Sequence, residues 1–252
     1  MKNNQPDLFE DLRNADADRA LLSYFAPLAV RENIQVLDLW NAEIARIRDD
    51  VREPHMGLIR LQWWRDEISR ICDGGRSDIH PVLRLLSEVI SKYDLPFSGF
   101  DRVLRGREFE FENRSAVSWD ELLAYIDETH GVLMVMKCRI LDCPNDRVSE
   151  LSRLYSVVGL VRSLPYFAQN GRVIFPELDL KDVRPHAENL IDLVRTVCCN
   201  VDVPYDRLLC RYLRATRILA ELYLKQIEKA GYDPFHIQPV PFKEFRLWFK
   251  SF

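Results

Sequence analysis

Carboxylates and arginines cluster in the first third of the chain, where their side chains could bind a cation or a phosphate. Asp49, Asp50 and Glu53 fall within five consecutive residues near the end of a predicted helix. Carboxylate oxygens of this kind suit Mg²⁺. Arg46 and Arg52 belong to the same stretch, and mixed charges are equally typical of an exposed helix end. The sequence alone leaves both interpretations open.

A second stretch, from Leu151 to Pro176, contains no aspartate or glutamate. Its hydroxyl and amide groups are weak ligands for a dication because they carry no negative charge. It retains Arg162 and Arg172, whose planar guanidinium groups can bind a phosphate through paired hydrogen bonds. Alternatively, Arg162 pairs with a carboxylate elsewhere in the chain. The stretch therefore favours binding over metal-assisted chemistry.

Other residues capable of chemistry have simpler explanations. Glu108 and Glu112 share a helix face, and Asp127 and Glu128 lie on another helix, but a metal cage needs ligands with pre-organised geometry. His130 suits a core or capping position better than a catalytic one. There is no Ser-His-Asp arrangement, phosphate-binding loop or dinucleotide fingerprint. The six cysteines form no C-x-x-C pair, which favours reduced thiols.

The elements that position these residues are helical, because apolar residues recur at steps of three and four and no segment alternates convincingly at period two. Ser118 with Glu121 predicts a capped helix start, and Gly231 predicts a helix end. The prediction is one all-α domain over residues 1–252, in which 1–15 could be a disordered lead-in. Helices are predicted near residues 17–30, 32–52, 56–72, 80–93, 98–113, 119–142, 146–169, 187–199, 204–231 and 240–250.

Composition and charge narrow the class of protein. The net charge of −4, with acidic and basic residues mixed along the chain, makes nucleic acid an unexpected partner. The polar start is not a secretory signal, and no apolar run would span a bilayer, so a cytoplasmic location is expected. Residues 240–252 combine aromatic and basic side chains. They are predicted to pack as a terminal helix or to make a peripheral contact with the inner face of a membrane.

Residues 18–68 and 159–178 resemble the squalene/phytoene synthase family, whose members join two allylic diphosphates head to head. The most specific marks are LQWWR at 61–65 and GRVIFP at 171–176. The resemblance covers most of the chain and implies a single helical bundle of the isoprenoid synthase fold around a central apolar cavity. In active members two aspartate-rich motifs hold Mg²⁺, which in turn holds the diphosphates.

The first of these motifs has two alignments in this chain. Without a gap it falls on Ala45, Arg46 and Asp49, which loses two of the three carboxylates. Shifted by one helical turn it falls on Asp49, Asp50 and Glu53 and is nearly intact. We prefer the ungapped alignment, because the residues before it match one branch of the family.

The second motif is lost, because its aspartates correspond to Ser163 and Phe167. Neither side chain supplies an anionic oxygen, and the phenyl ring would stand where a hydrated ion should lie. The resemblance therefore implies a vestigial metal and diphosphate pocket. Its members are Asp49, Asp50, Glu53, Arg46, Arg162 and Arg172.

The chain resembles in particular a branch that includes an assembly factor for mitochondrial respiratory complex I. The resemblance implies a protein that is no longer catalytic and that binds a client such as a respiratory complex subunit, or a prenyl lipid. Trp63 and Trp64 are candidates to line the cavity or contact the partner, one ring packed inside and the other exposed. No cofactor or bound metal is expected. The alternative is an active, Mg²⁺-dependent prenyl-diphosphate transferase, and a lipid or quinone carrier without a protein client is a third hypothesis.

Overall fold

A computed structural model describes residues 7–77, 79–112, 118–143, 148–170, 188–189, 191–192 and 211–251. The regular elements in these ranges are all helical, which confirms the predicted all-α class. By their contacts the residues divide into two compact units. Unit 1 comprises Met1–Asn113 and Val132–Pro144, and unit 2 comprises Arg114–Gly131 and Asn145–Phe252.

The α-helices are numbered in chain order. They are α1 (Leu8–Ala15), α2 (Ala17–Ser23), α3 (Leu28–Asp50), α4 (Pro54–Cys72), α5 (Pro81–Tyr93), α6 (Phe97–Glu108), α7 (Trp119–Ile126), α8 (Val132–Ile140), α9 (Val148–Gln169), α10 (Arg211–Lys229) and α11 (Lys243–Ser251). Short 3₁₀ turns at Phe109–Phe111 and Pro234–His236, and a π-helical turn at Asp127–Gly131, complete the described elements.

Helix α3 is the central element of unit 1, where it packs against α1, α2, α4, α5, α6 and α8. The apolar stripe predicted from the sequence is buried at Leu37, Trp40, Ile44 and Ile47. Trp40 meets Phe100 of α6 edge to face, with ring centroids 5.0 Å apart. Full burial of such a side chain contributes roughly 1.5–3 kcal/mol, which holds α3 in place.

Residues 8–15 form a helix, so the prediction of a disordered lead-in over 1–15 is wrong for this segment. The Asp7 side chain caps α1 by accepting a hydrogen bond from the backbone N–H of Glu10, at 3.3 Å. Leu12 is fully buried in a small cluster with Ala20 and Leu39. A helix this short is marginal alone, and burial of its apolar face against the neighbouring helices stabilises it.

In unit 2, α9 packs against α7 and α10, and α10 packs against α11. The predicted helix ends are confirmed at two positions. The Ser118 side chain accepts a hydrogen bond from the backbone N–H of Glu121 at the start of α7, and Gly231 adopts the left-handed conformation, with φ of 62°, just after α10. Helix α9 runs through Pro165, whereas the helix predicted over 119–142 is interrupted by the π-helical turn.

Two further expectations concerned reduced cysteines and the lack of a membrane-spanning segment. Cys72 and Cys138 are free thiols as predicted, but Cys143 is disulfide-bonded, so the expectation of reduced thiols is wrong there. Cys198, Cys199 and Cys210 lie outside the described residues. None of the described helices combines the length and apolar character that a membrane span requires.

Candidate functional site

The carboxylates predicted for the first motif lie where α3 ends, in unit 1. The helix stops at Asp50, and the backbone is extended at Val51 and Glu53. Pro54 explains the break, since proline disfavours helical geometry in the residue before it. Glu53 therefore lies beyond the end of α3, in line with the helix predicted near residues 32–52.

Arginines already neutralise part of this cluster. Arg46 Nε lies 3.3 Å from Asp50 Oδ2, and Arg60 Nη1 lies 3.9 Å from the same oxygen. Glu53 is largely exposed, with its carboxylate 3.7 Å from the ring of His55. Within the described ranges no three His, Cys, Asp or Glu side chains converge to hold a metal ion. These residues therefore do not fit Mg²⁺, which needs converging anionic oxygens in near-octahedral geometry.

Of the glutamates considered as substitutes, Glu108 is bound by an arginine, as is its neighbour Glu110. Arg65 donates to Glu108 Oε1 at 2.6 Å and to Asp101 Oδ1 at 2.8 Å. Burial alone would raise the pKa of Asp101, but hydrogen bonds from Arg65 and Arg105 hold it below its ordinary value. Arg107 Nη1 donates to Glu110 Oε1 at 2.6 Å. A carboxylate held by a guanidinium in this way contributes to packing and is poorly placed to take up a dication.

In unit 2 the two residues at the second-motif positions, Ser163 and Phe167, make contacts within helix α9. The Ser163 hydroxyl donates to the backbone carbonyl of Gly159 at 2.9 Å, and Phe167 packs edge-on to Tyr166 with ring centroids 6.0 Å apart. The guanidinium of Arg162 lies over the ring of buried Tyr223, 3.4 Å from its centroid. This cation–π contact gives Arg162 a structural role that the sequence did not predict. Arg172 lies outside the described residues.

The π-helical turn at Asp127–Gly131 is a second feature of unit 2 that sequence patterns missed. Arg153 of α9 forms a fork with the Asp127 carboxylate, its Nε donating to Oδ1 at 2.8 Å. The Thr129 hydroxyl donates to the carbonyl of Tyr125 at 2.7 Å, and His130 lies half-buried in the same turn. The fork uses the carboxylate that had been considered as a substitute metal ligand.

An apolar surface, the α4 face, lies at the start of α4. Met56, Ile59 and Trp63 are exposed and recur at helical spacing, so that they line one side of the helix. The two tryptophans separate: Trp63 is 37% exposed, whereas Trp64 is 5% exposed and packs against His80 with ring centroids 5.0 Å apart. Trp64 therefore belongs to the core of unit 1, and Trp63 is available to a partner.

A buried charge cluster in unit 1 joins α2, α3 and α8. Asp38 Oδ1 lies 2.6 Å from Arg19 Nη1 and 2.5 Å from Lys137 Nζ, and Arg19 also pairs with Asp16. Burial lowers the pKa of Lys137 to about 8, despite the opposing effect of Asp38. The signals in the sequence were an aspartate inside the apolar stripe of α3 and a lysine in the apolar run of α8. Their pairing required the fold.

Taken by itself, each unit is thus able to bind and to pack but has no assembled acid, base or metal group among its described residues. Among the carboxylates considered for a metal, Asp50, Glu108 and Asp127 are paired with arginine, and Glu53 is exposed beside His55. The α4 face is the part of the candidate site that is open to a macromolecule.

Comparison with known proteins points in the same direction. A family model described as squalene/phytoene synthase matches residues 12–198. The chain is 25% identical over 250 residues to "NADH dehydrogenase (ubiquinone) complex I, assembly factor 6" of Mus musculus, with 90% of this chain and 74% of the mouse protein covered. The protein of the same name from Bos taurus is 26% identical over 252 residues, with the same coverage.

Two solved structures share the fold. A squalene synthase, HpnC from Alicyclobacillus acidocaldarius, superposes with a TM-score of 0.67 at 19% identity, covering 91% of this chain and 97% of the synthase. A dehydrosqualene synthase in complex with ligand gives a TM-score of 0.68 at 16% identity, covering 97% of this chain and 96% of the synthase. At these identities the likeness shows the all-α synthase-type architecture.

Proposed function

The chain belongs to the squalene/phytoene synthase family, and from this premise we propose that it is a non-catalytic member that assists assembly of respiratory complex I by holding a client subunit. The observation that carries the proposal is the absence of carboxylates from the stretch that corresponds to the second motif. Between Leu151 and Pro176 the sequence has no Asp or Glu, and Ser163 and Phe167 stand at the second-motif positions.

Charge balance explains why this loss opposes catalysis. A diphosphate becomes a good leaving group only when dications neutralise its charge, and each dication needs anionic oxygens. At the first-motif positions, Asp50 is paired with Arg46, and Glu53 lies beyond the end of α3. We therefore derive no ionisation step for this chain.

The relatives support the assembly role. Proteins named complex I assembly factor 6 align with 90% of this chain, so the likeness extends over nearly all of it. We assign the client to the α4 face. Exposed apolar side chains at helical spacing suit an apolar segment of a protein subunit, and tryptophan is frequent at the centres of such interfaces.

The first test concerns catalysis. The purified full chain is incubated with farnesyl or geranylgeranyl diphosphate and Mg²⁺, and pyrophosphate release is measured. We expect release no faster than in the absence of protein. Release that is faster, and that is abolished by the combined substitutions Asp49→Asn, Asp50→Asn and Glu53→Gln, would establish the alternative, an active prenyl-diphosphate transferase.

The second test concerns assembly. In a strain that lacks this gene, the amount of assembled complex I is measured on native gels after complementation. The triple carboxylate variant is expected to restore assembly, because the proposal gives those carboxylates no catalytic task. Ile59→Glu with Trp63→Ala is expected to fail. Leu28→Glu, which changes an exposed apolar residue at the start of α3, is the control and should restore assembly.

The outcomes separate the hypotheses. Normal complex I in the deletion strain would refute the assembly role. Full rescue by the α4 variant would refute the assigned client surface. Recovery of a prenyl lipid with the purified protein, together with normal complex I in the deletion strain, would favour a lipid carrier instead. We place the function in the cytoplasm, at the inner face of a membrane, as part of the same proposal.

A further inference from the structure

Helix α11 lies on the surface of unit 2 and is held there by one narrow side. Leu247 is fully buried, Ser251 is buried one turn later, and the helix packs on α10. Arg214 Nη1 donates to the Ser251 carbonyl at 3.3 Å, and Lys243 Nζ donates to the Tyr223 hydroxyl at 3.3 Å. These contacts at both ends fix which side of α11 faces outward.

The outward side is aromatic. Phe242 is 80% exposed, Phe245 65%, Trp248 56% and Phe249 71%. Phe242 directly precedes the helix, and at the rotation of an α-helix the three aromatic side chains within it, Phe245, Trp248 and Phe249, fall within an arc of about 100°, opposite Leu247. Phe245 and Phe249 stack on each other, with ring centroids 6.2 Å apart and planes 19° from parallel. Single exposed apolar side chains are common on protein surfaces, whereas a contiguous aromatic patch marks a binding surface.

Basic side chains border this arc. Lys243, Arg246 and Lys250 recur at spacings of three and four, so they line one flank of the helix, whereas Glu244 is its only carboxylate. The helix is therefore locally positive in a chain whose net charge is −4. An outward aromatic arc with a basic flank is the arrangement of helices that lie in the interface of a membrane with anionic lipids.

We propose that α11 binds the surface of an anionic bilayer, with its aromatic arc at the level of the lipid headgroups and its basic flank against the lipid phosphates. The charge complementarity favours a lipid surface over a second apolar protein face, because lipid phosphates would supply anions for Arg246 and Lys250 and an apolar face would not. The proposal is independent of the client function, because it rests on unit 2 and needs no protein partner.

The test uses the full chain and sedimentation with vesicles. Binding to phosphatidylcholine vesicles that contain phosphatidylglycerol is compared with binding to phosphatidylcholine alone, at low and high salt. We expect preferential, salt-sensitive binding to the anionic vesicles. Neutralising both cations with Arg246→Gln and Lys250→Gln should weaken binding about thirtyfold, since each cation near a charged bilayer contributes on the order of 1 kcal/mol.

A matched pair of variants separates the aromatic arc from general surface hydrophobicity. Phe245→Ser with Phe249→Ser should reduce binding to background, whereas Met56→Ser with Ile59→Ser on the α4 face should bind vesicles like the unaltered chain. All four side chains are exposed, so thermal unfolding should change little and serves as the check on folding.

Two results would overturn the proposal. The first is equal binding to neutral and anionic vesicles, or none to either. The second is unchanged vesicle binding by the Phe245 and Phe249 variant. If that variant binds vesicles normally but fails to restore complex I assembly, the aromatic patch is a protein-docking surface. Because the vesicle assay contains no client, its outcome does not depend on the assembly role.

Discussion

Replacing Lys137 with methionine tests the buried charge cluster of unit 1. Lys137 is fully buried, and its ammonium contacts Asp38, which also binds Arg19. In the variant, Asp38 keeps its 2.6 Å partner Arg19, while a charge that burial disfavours is removed. Methionine has a similar volume, so we expect the free energy of unfolding near neutral pH to change by less than about 2 kcal/mol.

The informative quantity is how the difference in free energy of unfolding between the unaltered chain and Lys137→Met varies with pH. The native pKa of Lys137 is about 8, below the 10.5 of an unburied lysine. Between these values the unfolded state binds more protons than the native state, so the free energy of unfolding rises with pH. The gain in the free energy of unfolding is complete above pH 10.5 and is lost as the pH falls through about 8. Between these two limits the free energy of unfolding changes by about 3 kcal/mol.

The assay is urea unfolding of both proteins at a series of pH values between these limits. It is best done in a Cys138→Ala background, because burial raises the pKa of that neighbouring thiol to about 11 and its titration would oppose the trend. Lys225→Met, which removes an exposed lysine from α10, is the control. The stability of the chain relative to Lys137→Met should increase with pH. A flat or falling difference, or an equal rise for the control, would refute the reasoning.

Two glycines of similar helical setting should respond in opposite directions to alanine. At Gly57 a Cβ atom would lie 1.9 Å from Phe111 Cε1, so Gly57→Ala should destabilise the chain by about 1–3 kcal/mol in urea unfolding. At Gly159 no heavy atom of the described residues lies within 4 Å of an added Cβ, so Gly159→Ala should stabilise α9 by roughly 0.5–1 kcal/mol. Equal effects at both positions would contradict the packing argument. Ser118→Ala should remove the cap of α7 and lower stability by about 1 kcal/mol, whereas Ser118→Asp should preserve it; equal losses in both variants would exclude capping as the cause.

Local sequence signals were sufficient for much of the helix map. The predicted helices near 56–72, 80–93 and 146–169 correspond to α4, α5 and α9 within two residues at each end. Apolar spacing and proline placement report on neighbouring residues, and these are the interactions that start and stop a helix. The same signals missed α1, because its eight residues contain only Leu8, Phe9 and Leu12 as large apolar positions, which is too short a pattern to identify a helix.

The candidate site was likewise predictable from the sequence only in part. The loss of anionic ligands between Leu151 and Pro176 is a property of the residue types, and no arrangement of that stretch could restore them. The pairing of the surviving carboxylates was beyond the sequence: Asp101 and Glu108 meet Arg65 from another helix, and Asp127 meets Arg153.

By itself, then, the sequence determined the helical class, the missing carboxylates between Leu151 and Pro176 and the aromatic and basic character of the C-terminal segment, since each depends on residue types and near neighbours. Only the tertiary structure decided that Trp64 is buried beside an exposed Trp63, and that Asp38 meets Lys137. It also decided which side of α11 faces outward. These outcomes depend on contacts between residues far apart in the chain, which packing selects and local pattern does not encode.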